Sequence, residues 1–485
     1  MKDQKLPDLI FPGQTATSRR LVAQLKSEGK IHPIGPRLYA SVPKSEVKNI
    51  VRGSWSTVVS RLFPGVLLSH RSALDYRPDE KGKIYLTSST QREVHYPGLT
   101  LQFLRGPAPL PTDPAFLNFF ASSLPRALLE NLSIARGNTK TKILPIEEIE
   151  AKLEQILHEK GEDALNLIRD QTRTIAKKLK WETEFKKLDQ MVGALLGTRS
   201  PKKVKGDLAI SRSLGLPYDS ASLERLEILF GELRHYPLRP LPETNKSHDH
   251  FINKAFIESY FSNYIEGTQF EIEEAEEIVF DKKIPKNRPE DAHDILGTFK
   301  MVSDPAELRK KISTFEEFTH VLKKRHLVLL EGRTEAHPGE FKRKPNRAGN
   351  THFVHPEYVL GTLKKGFELH QNLSAGFPRA AFAMFLVADV HPFTDGNGRI
   401  ARILMNAELY THGFSTVIIP TVYREDYLLA LRALTRRGRA QPLIKMLALA
   451  QQFSHFDFHD YRKTIEWMQS RHWFDEPSEA KIVFP

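Results

Sequence analysis

The chain has 485 residues and a formal net charge of +12, longer than one hydrophobic core normally supports, so two to four domains are expected and a single small module is excluded. With 40% hydrophobic and 27% charged residues it has globular rather than disordered composition, and no apolar run reaches the ~18 residues that span a bilayer. The N-terminal MKDQKLPDLIFPG lacks the apolar core of a signal peptide, which predicts a cytoplasmic protein without membrane partners. Cysteine is absent, which excludes disulfides, thiolate metal sites and cysteine nucleophiles, and leaves oxygen or imidazole to hold any metal. Residues 1–205 carry 34 Lys and Arg against 21 Asp and Glu, while 206–485 carry 37 against 38. The basic excess therefore lies in the first part, the pattern of a polyanion-binding front end or of a solvated basic face.

The predicted elements begin with a helix over Thr17–Lys26, with Leu21, Val22 and Leu25 on one face and Gly29 as its stop. Two β-prone runs follow, Lys30–Pro33 and Arg37–Val42, joined through Gly35-Pro36. Helix and ribbon outline a winged helix in which Ser18, Arg19 and Arg20 open the recognition helix and Arg37 lies near the wing tip, the candidate DNA contacts. Together with Phe63–Leu74 this stretch resembles the DNA-binding domain of abortive-infection type IV antitoxin regulators. Residues 106–205 read as helical over Ala115–Glu130, Ile146–Leu179 and Glu184–Leu196, with a loop at Gly137-Asn138-Thr139 and a linker over Ser200–Gly206. This module carries no evident chemistry and suits connection or dimerisation, so a homodimer is left open. No internal repeat is evident.

Chemistry concentrates in His391-Pro392-Phe393-Thr394-Asp395-Gly396-Asn397-Gly398-Arg399-Ile400-Ala401-Arg402. The preceding Ala380–Val390 is apolar almost all round, as a buried helix requires, and Pro392 stops it. Arg399–Thr411 reads as a second helix, so the motif is a loop that opens a helix. Gly396, Asn397 and Gly398 can adopt positive φ and gather N–H groups at a helix N-terminus, a cradle for phosphate. Asp395 offers an oxygen to Mg²⁺, Arg399 and Arg402 are placed for a polyphosphate, and His391 is suited to take a proton from a hydroxyl near neutral pH. The run also fits G-x-G-x-x-A, but it follows a helix rather than a strand and lacks the acidic residue ~20 positions on, which argues against a dinucleotide site.

HPFTDGNGRIAR matches every defined position of the Fic family motif, H-x-F-x-[DE]-G-N-G-R-x-x-R, and residues 210–450 resemble that family. The resemblance implies transfer of AMP from ATP to a Ser, Thr or Tyr hydroxyl, with His391 as general base, Asp395 on Mg²⁺, Gly396–Gly398 as the phosphate loop, and Arg399 and Arg402 as phosphate contacts. Ser262-Asn263-Tyr264-Ile265-Glu266-Gly267 is similar to the family's inhibitory motif [ST]-x-x-x-E-[GN], in which Ser262, Glu266 and Gly267 are the defined positions. A glutamate there would pair with Arg402 in place of a γ-phosphate, and Glu271–Glu277 reads as a continuing acidic helix. Gly349–Pro356, with Thr351, His352 and Phe353, resembles the flap hairpin that holds a target segment as an added strand. Tyr423 and Tyr427 resemble residues beside the adenine.

Two remaining clusters carry no metal in this reading. His248-Asp249-His250 lacks zinc-site spacing and is expected to be a solvated loop, and His455–Asp460 has no ligand geometry. The expected architecture is mainly α and multidomain. It has a winged helix (α+β) over 1–105, a helical module over 106–205, an all-α Fic core with a small β flap over 206–450 containing an inhibitory helix around 255–267, and a tail over 451–485. The expected function is protein adenylylation from MgATP, on a target protein or on the chain itself, autoinhibited by Glu266, with removal of AMP as the reverse. The alternative is a DNA-binding transcriptional regulator whose Fic domain senses nucleotide or modifies itself.

Overall fold

The computed structural model describes residues 6–13, 15–134, 141–200, 203–237, 241–243 and 245–475, and the chain divides into two compact units, Met1–Gly215 and Leu216–Pro485.

In the first unit β1 (Leu9–Ile10) precedes α1 (Ala16–Ser27), β2 (His32–Gly35) and β3 (Leu38–Ala40), and the strands form an antiparallel sheet in the order β1-β3-β2. Thr15 caps α1 by accepting the Ser18 N–H, and Arg37 turns the hairpin with φ of 56°. After α2 (Lys44–Gly53) and α3 (Trp55–Leu62) come β4 (Leu67–Leu68), α4 (His70–Asp75), β5 (Lys83–Ser88), β6 (Arg92–Tyr96), β7 (Leu99–Arg105), β8 (Ala115–Phe116) and β9 (Phe119–Ala121). These strands form a six-stranded sheet in the order β6-β7-β5-β4-β9-β8. A boundary at residue 105 would cut this sheet, because β9 pairs in parallel with β4.

The helix expected over Ala115–Glu130 is confined to α5 (Leu124–Asn131). Upstream, Phe119 and Ala121 are buried and Phe120 exposed, the period-two alternation of a strand, and Leu117 takes φ of 54°, which a helix forbids. Then α6 (Ile146–Leu179), broken at Gly161, and α7 (Glu182–Leu195) build a helical layer. The expected loop at Gly137–Thr139 lies outside the described residues, as do Pro201 and Lys202 of the expected linker. Residues Lys205 and Gly206 are not free spacer: their N–H groups donate to the Glu150 carboxylate at 2.6–3.0 Å. The following α8 (Asp207–Ser213) is tied by Arg212 to Glu154 at 2.7 Å, which moves the unit boundary to Gly215.

The second unit contains α9 (Ser220–Arg234), α10 (His248–Ile265), α11 (Ile272–Phe280), α12 (Pro289–Val302), α13 (Pro305–Leu308) and α14 (Phe315–Leu329). It continues with the hairpin β10 (Arg347–Ala348) and β11 (Thr351–His352), then α15 (Val359–Gln371), α16 (Phe377–Val390), α17 (Asn397–Thr411), α18 (Arg424–Arg437), α19 (Gln441–Phe453) and α20 (Tyr461–Gln469). Helix α16 is the core: Ala380–Val387 are all buried. Its one acid, Asp389, is pinned by Arg225 at 2.8 Å and by Ser222 of α9.

Three further expectations are corrected here. His248–His250 begins α10 rather than a loop, and His250 is buried with Nδ1 at 3.2 Å from Asp457 and Nε2 at 3.4 Å from Glu243. Glu271–Glu277 does not continue α10, because Gly267 with φ of 96° ends that helix and α11 starts afresh at Ile272. The expected tail, as far as residue 475, belongs to the core, with Phe458 and Trp473 fully buried in the cluster that also holds α16.

Candidate active site

The motif loop joins α16 to α17, and each turn of it has a local cause. His391 ends α16 in the left-handed region, φ 51° and ψ 59°, and Gly396 takes φ of 74° just before α17. Asn397 and Gly398 do not share that conformation, contrary to expectation, because they already form the first turn of α17. The Asn397 side chain accepts the Phe393 N–H at 2.8 Å and donates to the Phe393 carbonyl at 2.9 Å, so it is buried and ties the loop to the first turn of α17. Gly398 is small for a steric reason: a Cβ there would collide with the Glu266 carboxylate.

A cavity of about 430 Å³ opens against this loop. His391, Gly398, Arg402, Glu266, Tyr427 and Phe353 all line it, while Asp395, Gly396, Asn397, Arg399 and Tyr423 do not. The His391 ring stacks on Phe353 with centroids 3.6 Å apart and 6° between planes. Its Nδ1 donates to the Ala388 carbonyl at 3.4 Å, which leaves Nε2 as the unprotonated nitrogen. Burial, aided by the nearby Lys342 charge, depresses its pKa to about 4, so the imidazole is neutral at pH 7, with Nε2 able to accept a proton.

Arg402 is buried and fully engaged. Its Nε donates to Ser262 Oγ at 3.0 Å, and its Nη2 donates to the Ser262 carbonyl at 2.8 Å and to Glu266 Oε1 at 2.7 Å. Glu266 caps the C-terminus of α10, and Gly267 closes it in the left-handed region, with N–H to the Tyr264 carbonyl at 3.0 Å. Only a residue at ease with positive φ fits there, which gives the Glu-Gly pair its physical reason. Arg424 donates to the last helical carbonyl, Ile265, at 3.1 Å and also lines the cavity.

Arg399 turns elsewhere. Its Nη1 meets Asp294 at 2.7 Å and Asn263 at 3.4 Å, and only Nη2 approaches Asp395, at 3.6 Å. It therefore braces α17 against α12 and α10. Asp395 remains 55% exposed, and its carboxylate is of the hard-oxygen kind that Mg²⁺ takes. The hairpin expected as a flap forms with Ala348 opposite Thr351, and Arg436 donates to Thr351 Oγ1 at 2.9 Å. His352 is exposed, Tyr427 is buried beside Arg402, and Tyr423 is buried away from the cavity.

Several supporting residues were not singled out in the sequence. Asp294 joins Arg399 to Arg333, whose Nη2 lies 2.8 Å away. His326 stacks on Phe393 at 3.8 Å and donates through Nε2 to the Asp395 carbonyl at 3.0 Å. Lys342 holds Asn346 at 2.7 Å and the Val390 carbonyl at 3.3 Å, and burial lowers its pKa to about 7. None of the four lies in a motif, and no local pattern marks them.

Residues 313–409 match the family model described as Fic/DOC. The chain contains a Fic domain. Protein adenylyltransferase fic-1 of Caenorhabditis elegans is 37% identical over 99 residues, 20% of this chain and 19% of that protein. Protein adenylyltransferase Fic of Drosophila melanogaster is 29% identical over 212 residues, 41% of this chain and 42% of that protein. The chain thus matches less than half the length of these curated relatives. Among solved structures, a C. elegans Fic-1 fragment (residues 134–508 in its own numbering) is 19% identical with a TM-score of 0.36, covering 67% of this chain and 94% of that one. The matched span of the Fic domain includes His391–Arg402 but leaves Glu266 outside it.

Proposed function

We propose that the protein transfers AMP from MgATP to a Ser, Thr or Tyr hydroxyl of a protein substrate or of itself, and that Glu266 holds it inactive. The observation that carries this reading is the shared cavity: a neutral His391 with Nε2 free and an Arg402 occupied by Glu266 line the same space. His391 Nε2 takes the proton of the substrate hydroxyl, whose oxygen attacks the α-phosphorus. The bond to the bridging oxygen breaks and pyrophosphate leaves. Asp395 is the residue that would hold Mg²⁺, which supplies charge neutralisation on the phosphates when bound. The α17 N-terminus and Arg402 stabilise the developing negative charge once Glu266 withdraws. Thr351 and its hairpin offer an edge along which a substrate segment can add as a strand. The activity is expected in the cytosol, and the Glu266 carboxylate, held in the same cavity as His391, is placed to orient a water for the reverse reaction, hydrolytic removal of AMP from the target.

Mass spectrometry of the Glu266→Gly protein incubated with MgATP tests this, with Glu266→Gly/His391→Ala as control. One added AMP that depends on His391 is the expected result, and its absence with nucleotide still bound would reject self-modification from ATP and point to another donor, an obligatory external target or nucleotide sensing.

A second reading, DNA binding by the first unit, is supported by its basic excess and by the exposure of Arg19, Arg20 and Arg37 on α1 and the hairpin turn. Ser18 fits it less well, since its hydroxyl already accepts the Gly13 N–H at 2.7 Å. Fluorescence anisotropy with duplex DNA should show binding that Arg19→Glu/Arg20→Glu weakens and His391→Ala leaves alone. Equal binding by the first variant and the unaltered chain would discard this role for α1.

A further inference from the structure

We propose that a second cavity in the Fic unit, of about 550 Å³, is a binding site for a small phosphate-bearing organic anion. It shares no lining residue with the cavity at His391, although α17 serves both, giving Gly398 and Arg402 to one and Leu404, Ala407 and Glu408 to the other. Five permanent cations line it, namely Arg309, Lys310, Lys311, Arg325 and Arg379, against a single lining carboxylate, Glu408.

The buried groups of this cavity are short of acceptors. Arg325 is fully buried, and it places Nε at 3.2 Å from the Glu307 carboxylate and Nη2 at 3.0 Å from the Glu307 carbonyl, while Nη1 makes no hydrogen bond. His370, 9% exposed, accepts at Nδ1 from the Gln371 amide at 3.5 Å, so Nε2 carries the proton, and it too has no partner. Arg379 donates through Nη2 to the Leu373 carbonyl at 2.9 Å, and its Nε makes no hydrogen bond but ion-pairs with Glu408 at 3.9 Å. Glu408 faces His412 at 3.4 Å and leaves Oε1 without a hydrogen bond.

A buried donor without an acceptor costs about 1–3 kcal/mol, and two such donors, on Arg325 and His370, in the lining of a cavity that also carries five positive charges describe a space suited to an acceptor-rich, multiply charged occupant. Guanidinium forks suit phosphate oxygens in particular. Lys310 and Arg325 share the single carboxylate of Glu307, so with Glu408 two acids stand against five cations and a positive excess remains. The occupant is a small molecule rather than a nucleic acid. The volume lies within the range of about 300–1,000 Å³ usual for ligand pockets, and Arg325 and His370 are buried where a polymer backbone cannot reach. Leu308, Phe318 and Leu404 supply apolar wall for an organic moiety.

This assignment holds whether or not His391 transfers AMP. Isothermal titration of the full chain with pyrophosphate, beside Arg309→Glu/Lys311→Glu, tests it, because both altered residues are exposed and neither lines the His391 cavity. The expected result is saturable heat that weakens by about tenfold or more in the double variant, as loss and reversal of two near charges implies. No heat at millimolar pyrophosphate overturns the proposal, and so does unchanged affinity in the variant, which would locate binding elsewhere. Should the charge reversal lower the melting temperature, Arg309→Gln/Lys311→Gln provides the same comparison with less repulsion.

Discussion

In the proposed reaction His391 acts as a neutral base, and its burial sets the pH at which that role would be lost. Its pKa is depressed to about 4, so protonation removes the base only as pH falls through that value, and no loss is expected near the 6.5 of an ordinary histidine. Initial rates of self-modification by the Glu266→Gly protein between pH 4 and 8 should therefore be flat down to about pH 5. A fall centred at 6.5 would mean that the imidazole is solvated in the working state. His391→Ala should lower the rate by about 10²–10⁴-fold, the usual contribution of a placed general base, with nucleotide affinity kept. The binding residues divide more sharply than their spacing implies: Arg402 faces the cavity, whereas Arg399 is bound to Asp294. Breaking that buried pair by Asp294→Ala leaves both Arg399 and Arg333 without their shared acid and should cost about 3–5 kcal/mol, read as a lower denaturation midpoint.

The elements explain how the inhibitory glutamate is held. Helix α10 ends at Ile265, its terminal carbonyl bonded by Arg424 and its exit turned by Gly267, so the Glu266 carboxylate is delivered to Arg402 by a fixed helix end. Arg424→Ala frees that end and should raise self-modification in the chain with Glu266 intact, while adding little in the Glu266→Gly background. An equal change in both backgrounds would show that Arg424 acts on substrate instead. Long periodic helices were legible from the sequence alone: α6 spans the residues its apolar spacing predicts, apart from the break at Gly161 with φ of 79°. The catalytic loop was legible because its defined residues are contiguous. Asp294, His326, Lys342 and Arg424 were not, because they reach the loop from separate elements and only tertiary packing brings them together. The strands at 115–121 escaped because two- and three-residue strands are too short for alternation to compete with a helical pattern.

Across the whole molecule, the buried imidazoles make folding sensitive to acid. His326 and His391 are depressed to about 4 and His370 to about 3 in the second unit, and His70 to about 3 in the first, all chiefly by burial. Each folded-state value lies below the unfolded 6.5, so each contributes stability that is complete above pH 6.5 and is lost as pH falls through 4 to 3. The melting temperature should fall steadily from pH 7 to pH 4, and less steeply in His391→Asn, which removes one of the four groups. The division of charge also has a colloidal meaning. Residues 216–485 carry 36 Lys and Arg against 37 Asp and Glu, so severed from the first unit this half would stand close to its isoelectric point at neutral pH, where self-association is least opposed. The basic first unit thus gives the chain a net charge that its neutral second unit lacks, a charge that opposes self-association.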